Sequence, residues 1–159
     1  MTLGVRLPNL RRSGTVTSLA PLKALSAAIR SRNADNLDPI DMRHFLTVKA
    51  EAEMLRILID NLIDNAIKYG RNNGRVEVRM RRARASACLT VRDDGPGVSV
   101  EDRARLTDRF FREAGNGESG SGLGLSIVAR IAVCFGAKLY FAEGIEGSGL
   151  GVVVEFPLA

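Results

Sequence analysis

Three short polar segments carry the residues whose types and spacing could do chemistry, and each lies at the edge of an apolar segment. They are 61–69, which contains two asparagines and a lysine, 93–97, which reads Asp-Asp-Gly-Pro-Gly, and 120–125, which reads Gly-Ser-Gly-Leu-Gly-Leu. The first offers groups for a metal ion and phosphates, the second a carboxylate for a base, and the third glycines that let backbone approach a ligand. Together they predict a nucleotide site, although each alone would be weak evidence.

The first segment places Asn61, Asn65 and Lys68 on one face of a predicted helix. Neutral amide oxygens can ligate Mg²⁺ without adding negative charge beside a triphosphate. The alternative is an ordinary polar face of an amphipathic helix, but asparagine is a poor residue for a helix interior. The spacing therefore favours a metal and phosphate site.

The second segment has Asp93 at the end of a predicted strand, followed by Gly95 and Gly97. A fixed carboxylate at this point could accept a hydrogen bond from the amino group of a base, and the glycines would leave room for that base. Asp-Gly-Pro-Gly alone is an ordinary turn, so the neighbouring segments decide the interpretation. Asp94, one residue along, is expected to face elsewhere, and the alternative for it is a solvated acid in a turn.

The third segment has Gly120, Gly122 and Gly124 leading into a predicted helix. The free N–H groups and the positive dipole end of such a helix can face phosphates. Glycine-rich entries to helices occur in many folds, so this signal gains its meaning from the other two.

Apolar periodicity predicts the elements that must position these residues. Helices are expected at 16–32, at 51–69 with Gly70 as its stop, from Ser99 onward with Asp102 in a capping role, and at 123–135. Strands are expected at 45–48, 76–81, 87–91, 138–142 and 152–156, with a polar, mobile segment at 112–121. This pattern predicts an α/β fold, a two-layer α/β sandwich with a mixed, mostly antiparallel sheet.

The composition is that of a single globular domain. The chain has 159 residues, of which 45% are hydrophobic and 26% charged. No apolar run approaches the roughly 18 residues of a membrane span, and residues 1–12 do not resemble a signal peptide. Cys88 and Cys134 stand apart from each other, which favours two buried, reduced residues and a cytoplasmic location.

The net charge of +5 comes from the N-terminal part of the chain. Residues 1–32 hold six basic and no acidic residues, and the rest of the chain holds 17 basic and 18 acidic residues. A solvated basic arm, a nucleic-acid patch and a segment near an anionic membrane leaflet all fit this distribution. The absence of interleaved aromatic residues argues against nucleic acid.

From about Ala50 to the C-terminus the three segments resemble the N, G1 and G2 boxes of the ATP-binding catalytic domain of bacterial sensor histidine kinases. These kinases belong to the Bergerat (GHKL) ATPase superfamily. The resemblance implies a Bergerat fold that binds ATP and Mg²⁺, with Asn65 as the Mg²⁺ ligand and Asp93 at the adenine. It also implies that Asn61 assists near the phosphates, that Lys68 neutralises phosphate charge, and that Tyr69 packs near the ribose or the lid. The implied cofactor-binding glycines and their neighbours are Gly95, Gly97, Gly120, Gly122, Leu123, Gly124 and Leu125.

Residues 106–112 resemble the F box, which hinges the ATP lid in these kinases. Phe110 and Phe111 fit that pattern, and the resemblance implies that Arg109 or Arg112 reaches the γ-phosphate. Thr107 stands where the family usually has an aromatic residue, which predicts looser packing of the lid.

The resemblance does not extend to a phosphoacceptor. The single histidine, His44, is followed by Phe45-Leu46-Thr47 and lacks the acidic neighbour of the family motif, so we expect a surface or packing role. The chain is therefore predicted to have a basic N-terminal helix and linker at 1–41, similar to a HAMP remnant, and a catalytic domain at 42–159. Such a truncated or partner-dependent kinase would need a histidine-bearing dimerisation domain and a response regulator. We expect no nucleic-acid partner, a membrane-associated parent protein, and a homodimer only where a dimerisation domain is present.

Two alternatives to a histidine kinase remain open on the sequence. Related Bergerat enzymes carry a glutamate one turn before the metal-binding asparagine, where it acts as a general base. Asn61 occupies that position and cannot take a proton, which favours phosphoryl transfer over ATP hydrolysis. An anti-sigma-factor-type serine kinase and a non-catalytic ATP-binding scaffold are the alternatives.

Overall fold

A four-stranded sheet forms the centre of the protein in the computed structural model, which describes residues 16–18, 47–111 and 122–158. Its strands are β3 (Val76–Arg82), β4 (Ser86–Asp93), β5 (Lys138–Glu143) and β6 (Leu150–Pro157), in the spatial order β3-β4-β6-β5. All the strand pairs among these residues are antiparallel. The predicted two-layer α/β architecture is confirmed.

The pleat of the sheet separates a core face from an outer face. Alternation along each strand sends one set of side chains toward the helices and the next set away from them. The paired residues Val78, Val91, Val152 and Phe141 form one row across the core face. The adjacent row, Arg79, Thr90, Val153 and Tyr140, lies on the outer face.

Two helices cover the core face, and both carry residues of the three polar segments. Helix α1 spans Ala52–Tyr69 and helix α3 spans Gly124–Cys134, with the short helix α2 (Val100–Arg103) between them. The buried side of α1 includes Leu55, Leu58 and Leu62, each at most 1% exposed. Helix α1 ends where the Gly70 N–H donates to the Ala66 carbonyl, and Ser99 caps α2 by accepting from the Asp102 N–H, as predicted. A 3₁₀ turn, Ile145–Gly147, joins β5 to β6.

The N-terminal prediction is wrong where the structure describes it. Residues Val16–Ser18 form a strand, β1, rather than the start of a helix, and they pair with β2 (Thr47–Lys49). Valine and threonine favour strands, and the apolar helical spacing begins only at Leu19. The rest of the expected helix, the linker and His44 lie outside the described residues. The 41/42 domain boundary stays a prediction, and the pairing adds that 16–18 lies beside a strand of the predicted catalytic domain.

The two cysteines differ in their surroundings. Cys88 is buried in β4, but Cys134 is exposed, so the expectation of burial is wrong for Cys134. Helix α3 turns Leu125, Val128 and Ile131 inward, which leaves its last residues on the solvent side. Within the three described ranges, no helix is long and apolar enough to cross a membrane.

Candidate functional site

A cavity of about 340 Å³ lies between α1, the start of α3, the end of β4 and the start of β6. It is the place where the three polar segments meet, although they are far apart in the sequence. The predicted site residues that line it are Asn61, Asn65, Lys68, Tyr69, Asp93, Gly97, Gly122, Gly124 and Leu125. Gly95 and Leu123 adjoin the lining residues without lining the cavity themselves.

Asp93 contributes a buried carboxylate to the wall of this cavity and is 4% exposed. Its Oδ1 accepts hydrogen bonds from the backbone N–H of Gly95 at 2.9 Å and of Leu150 at 3.2 Å. Both donors use the same oxygen, so the second oxygen, Oδ2, keeps its acceptor capacity for a ligand. A carboxylate held in this way accepts a hydrogen bond from an amino group and disfavours a carbonyl in the same position.

The surroundings of Asp93 change its titration. Burial raises the pKa of the Asp93 carboxyl above its ordinary value, and the nearby Asp94 charge adds to the rise. The N–H groups of Gly95 and Leu150 each lower the pKa, but the net shift is upward. A buried acid with a raised pKa in a cavity is typical of a functional position.

Two glycines allow the backbone to close around Asp93. A Cβ at Gly95 would lie 2.0 Å from the Tyr69 carbonyl oxygen, at the end of α1. Gly149 has φ of +81°, and a Cβ there would lie 2.2 Å from the Asp93 carbonyl oxygen and 2.5 Å from its Oδ1. The sequence does not indicate a role for Gly149, because Gly-Ser-Gly between two predicted strands is typical of an ordinary turn.

The asparagines of α1 direct their oxygens toward the start of α3. Asn61 Nδ2 donates to the Ile57 carbonyl at 2.8 Å, which leaves its Oδ1 for the cavity. A Cβ built on Gly124 would lie 3.3 Å from Asn61 Oδ1 and 3.7 Å from Asn65 Oδ1, so both oxygens face the same glycine. The described part of the chain has no cluster of three or more Asp, Glu, His or Cys that could hold a metal. Neutral oxygens that face the N-terminal end of a helix, where phosphates can bind, nevertheless fit Mg²⁺ carried by a triphosphate.

Lys68 lies at the cavity wall and contacts its neighbour Tyr69. Its Nζ donates to the Tyr69 hydroxyl at 3.0 Å and lies 4.6 Å from the centre of the tyrosine ring. Lys68 and Tyr69 therefore form one positively charged part of the cavity wall. The predicted contact between Lys68 and phosphate stays a prediction.

The F-box region closes one side of the cavity. The Phe110 N–H donates to the Gly122 carbonyl at 3.1 Å, so the two flanks of segment 112–121 lie side by side. Phe111 lines the cavity, and the Arg105 guanidinium lies 4.5 Å from the centre of its ring. Phe110 itself is exposed.

The described part of the structure does not establish the predicted contact of Arg109 or Arg112 with the γ-phosphate. Arg109 is exposed, 5.8 Å from the centre of the Phe110 ring, and it does not line the cavity. Arg112 and Gly120 lie outside the described residues. Their proposed roles therefore stay predictions.

Asp94 does not line the cavity, and its carboxylate fixes the neighbouring loop. Its two oxygens accept from the backbone N–H groups of Arg71, at 3.3 Å, and Arg75, at 2.9 Å. The loop from α1 to β3 turns sharply beside the Asp-Asp-Gly-Pro-Gly turn, and its N–H groups need acceptors. Asp94 supplies them.

Comparison with known proteins places this architecture in one family. The model of the histidine kinase-, DNA gyrase B- and HSP90-like ATPases matches residues 50–159. The chain is 39% identical over 119 residues to the swarming motility regulation sensor protein RssA of Serratia marcescens, covering 74% of this chain and 25% of that protein. It is 44% identical over 100 residues to the sensor protein QseC of Salmonella typhi, covering 63% of this chain and 21% of that protein.

Solved structures agree with the sequence relatives. The mycobacterial sensor histidine kinase MprB superposes with a TM-score of 0.74 at 27% identity, over 85% of this chain and 92% of that one. The ATP-binding domain of PrrB from Mycobacterium tuberculosis shares the fold, with a TM-score of 0.68 at 23% identity over 86% of this chain and 90% of that one. The chain spans about a quarter of the length of the curated relatives it matches. It belongs to the histidine kinase-, DNA gyrase B- and HSP90-like ATPase family, as an ATP-binding catalytic domain of the sensor histidine kinase type.

Proposed function

We propose that this chain binds Mg-ATP and transfers the γ-phosphoryl group to a histidine on a dimerisation domain outside it. One observation carries the proposal: a single cavity has a buried carboxylate at one end and two amide oxygens facing the start of α3 at the other. The carboxylate suits the adenine amino group, and the helix start suits the phosphates. The same cavity therefore matches both ends of ATP.

The residues divide the work between base and phosphates. Asp93 would bind adenine through Oδ2, with Gly97 beside the base. Asn65 would ligate Mg²⁺ through Oδ1, with Asn61 beside it and Lys68 neutralising phosphate charge. Mg²⁺ supplies charge neutralisation along the phosphate chain when it is bound. Arg109 or Arg112 would add a cation at the γ-phosphate, as the resemblance to the F box implies.

The environment of Asn61 favours transfer to an external nucleophile over hydrolysis. Its Nδ2 is engaged by the Ile57 carbonyl, and its remaining oxygen cannot take up a proton at neutral pH. A water molecule or a serine hydroxyl would therefore lack a base at this position. The histidine acceptor, a downstream response regulator and a parent protein at the inner face of a membrane complete the proposal. A homodimer is expected only with a dimerisation domain.

Substitution Asn65→Ala tests the metal end of the site. Mg-ATP at a hundred times its Kd adds about 2.7 kcal/mol to the free energy of unfolding, a Tm rise of roughly 5–11 °C for a chain of this size. We expect Asn65→Ala to remove most of that rise, because the metal loses its protein ligand. Asn72→Ala, at an exposed asparagine outside the cavity, is the matched control and should keep the full rise. A wild-type chain without any Mg-ATP-dependent shift in Tm would disprove nucleotide binding.

Phosphoryl transfer has its own test. The chain is mixed with radiolabelled ATP, Mg²⁺ and a supplied dimerisation domain that carries a phosphoacceptor histidine. Acid-labile label on that histidine supports the kinase proposal, whereas acid-stable phosphoserine on a serine substrate supports the serine-kinase alternative. Binding of ATP without transfer to any supplied histidine domain would favour the scaffold.

Nucleotide affinity is expected to fall on acidification at a higher pH than an ordinary aspartate would require. Only the ionised Asp93 accepts the base amino group, and burial raises the pKa of Asp93 above its ordinary value. Affinity is therefore lost as the pH falls through this raised pKa. The contribution of Asp93 to the stability of the ligand-free fold has the opposite sign, because an acid with a raised pKa in the folded state stabilises the fold at low pH and less as the pH rises through that pKa. Isothermal titration calorimetry of the wild type measures the first trend, and the difference in Tm between the wild type and Asp93→Asn over the same pH series measures the second. Parallel trends would contradict the assignment.

A further inference from the structure

Three loops meet behind the end of the cavity that holds Asp93. The polar side chains that join these loops do not line the cavity. The loops are 70–75 after α1, 94–99 after β4, and 144–149 between β5 and β6. Hydrogen bonds connect all three, and they converge on the turn that carries Asp93. The contacts therefore act on the site from outside.

A chain of hydrogen bonds runs from the first loop to the Asp93 carboxylate. Arg71 Nη2 donates to Ser148 Oγ at 3.2 Å, and Ser148 Oγ donates to the Gly95 carbonyl at 2.8 Å. The N–H of Gly95 donates to Asp93 Oδ1 at 2.9 Å. Gly95 is thus held through both its N–H and its carbonyl, and its N–H can keep Oδ1 occupied.

The start of this chain is itself fixed in place. Asp94 accepts from the backbone N–H groups of Arg71 and Arg75, which holds the loop that presents the Arg71 side chain. The Tyr69 carbonyl packs directly against Gly95, so there is no room for the turn to shift toward α1. The Asp93 turn is therefore bounded by the end of α1 on one side and tied to the β5–β6 loop by the Ser148 hydroxyl on the other.

We propose that Ser148 and Arg71 are positioning residues for the base. They hold Gly95 in place through its carbonyl, so that the Gly95 N–H keeps its hydrogen bond to Asp93 Oδ1 and Oδ2 stays turned into the cavity. This inference rests on the proposed binding of ATP at Asp93. It predicts an effect on every ligand that contains adenine, because the fixed element is the base site and not the phosphate site.

Calorimetric titration of Ser148→Ala with Mg-ATP, Mg-ADP and adenosine tests the proposal. We expect all three affinities to fall by a similar factor, about tenfold, as for the loss of one hydrogen bond that organises a site. Ser148→Thr keeps the hydroxyl and should retain wild-type affinity. Arg71→Ala changes an exposed side chain and should give a smaller loss of the same kind for all three ligands.

Arg75→Ala is the matched control. Arg75 lies in the same loop as Arg71 and its side chain also reaches the β5–β6 loop, where it pairs with the exposed Glu146 at 3.3 Å. We expect its affinities to equal those of the wild type. The inference is overturned if Ser148→Ala lowers the Tm but leaves all three affinities unchanged, or if the loss is confined to ATP and ADP. A wild-type chain that binds none of the ligands would instead overturn the proposed function.

Discussion

Substitution Asp93→Asn is expected to weaken ATP binding by roughly 30- to 150-fold, about 2–3 kcal/mol, which is the value of a hydrogen bond to a charged group. The two backbone donors on Oδ1 require an acceptor at that atom, so the asparagine must place its oxygen there. Its NH₂ group then replaces Oδ2 and faces the cavity. A donor would meet the donor of the adenine amino group, and the base would lose its partner.

The fold should tolerate the same substitution. Burial raises the pKa of the Asp93 carboxyl because the buried charge is disfavoured, and a neutral amide of the same shape does not carry that penalty. We therefore expect the Tm of ligand-free Asp93→Asn to equal or exceed that of the wild type at neutral pH. Loss of binding together with retained stability would separate a role in recognition from a role in folding.

Calorimetry measures the loss of ATP affinity, and thermal melts measure the Tm of the ligand-free protein. A nucleotide with a different base tests whether Asp93 contacts the adenine amino group. Inosine triphosphate carries a carbonyl where adenine carries its amino group, so Asp93→Asn should lose less affinity for it than for ATP. Asp108→Asn, at an exposed aspartate outside the cavity, should leave ATP binding unchanged. Unchanged ATP affinity in Asp93→Asn would show that the base lies elsewhere.

The elements that position the site were predictable because their signals are local. The apolar spacing of residues 51–69 predicts a helix that the structure has at Ala52–Tyr69. The alternation in 76–81 and 87–91 predicts the hairpin of β3 and β4, with Asp93 as the last residue of β4. In both cases the buried face follows from the period of the residues themselves.

The parts that the sequence did not predict depend on contacts between distant residues. Nothing near Asp94 in the sequence shows that it accepts from Arg71 and Arg75, because those residues approach it only when β3 pairs with β4. The contact of Gly149 with Asp93 likewise exists only when β6 lies beside β4. Glycines are common in turns between strands. The sequence of residues 147–149 therefore has no local signal that would distinguish this loop from an ordinary turn.

Substitution Gly149→Ala is expected to damage both stability and ATP binding. An L-residue at φ of +81° costs about 1–2 kcal/mol. The new Cβ would also lie 2.2 Å from the Asp93 carbonyl oxygen, a backbone atom that cannot move aside cheaply. Overpacking of this kind adds about 1–3 kcal/mol, so we expect a total loss of roughly 2–5 kcal/mol in the free energy of unfolding. The displaced Asp93 turn should weaken ATP binding at the same time.

Gly147→Ala separates the two causes. Gly147 lies in the same loop with φ of +78°, but a Cβ there would meet nothing within 4 Å. Its substitution therefore measures the backbone strain alone, and we expect a loss of about 1–2 kcal/mol with ATP affinity unchanged. Urea denaturation gives the two free energies, and calorimetry gives the two affinities. If Gly149→Ala cost no more than Gly147→Ala and bound ATP as well as the wild type, the close approach of Gly149 to Asp93 would have no part in the site. A larger cost confined to Gly149→Ala would instead show that this glycine is required because the base-binding carboxylate and the β5–β6 loop occupy the same small space.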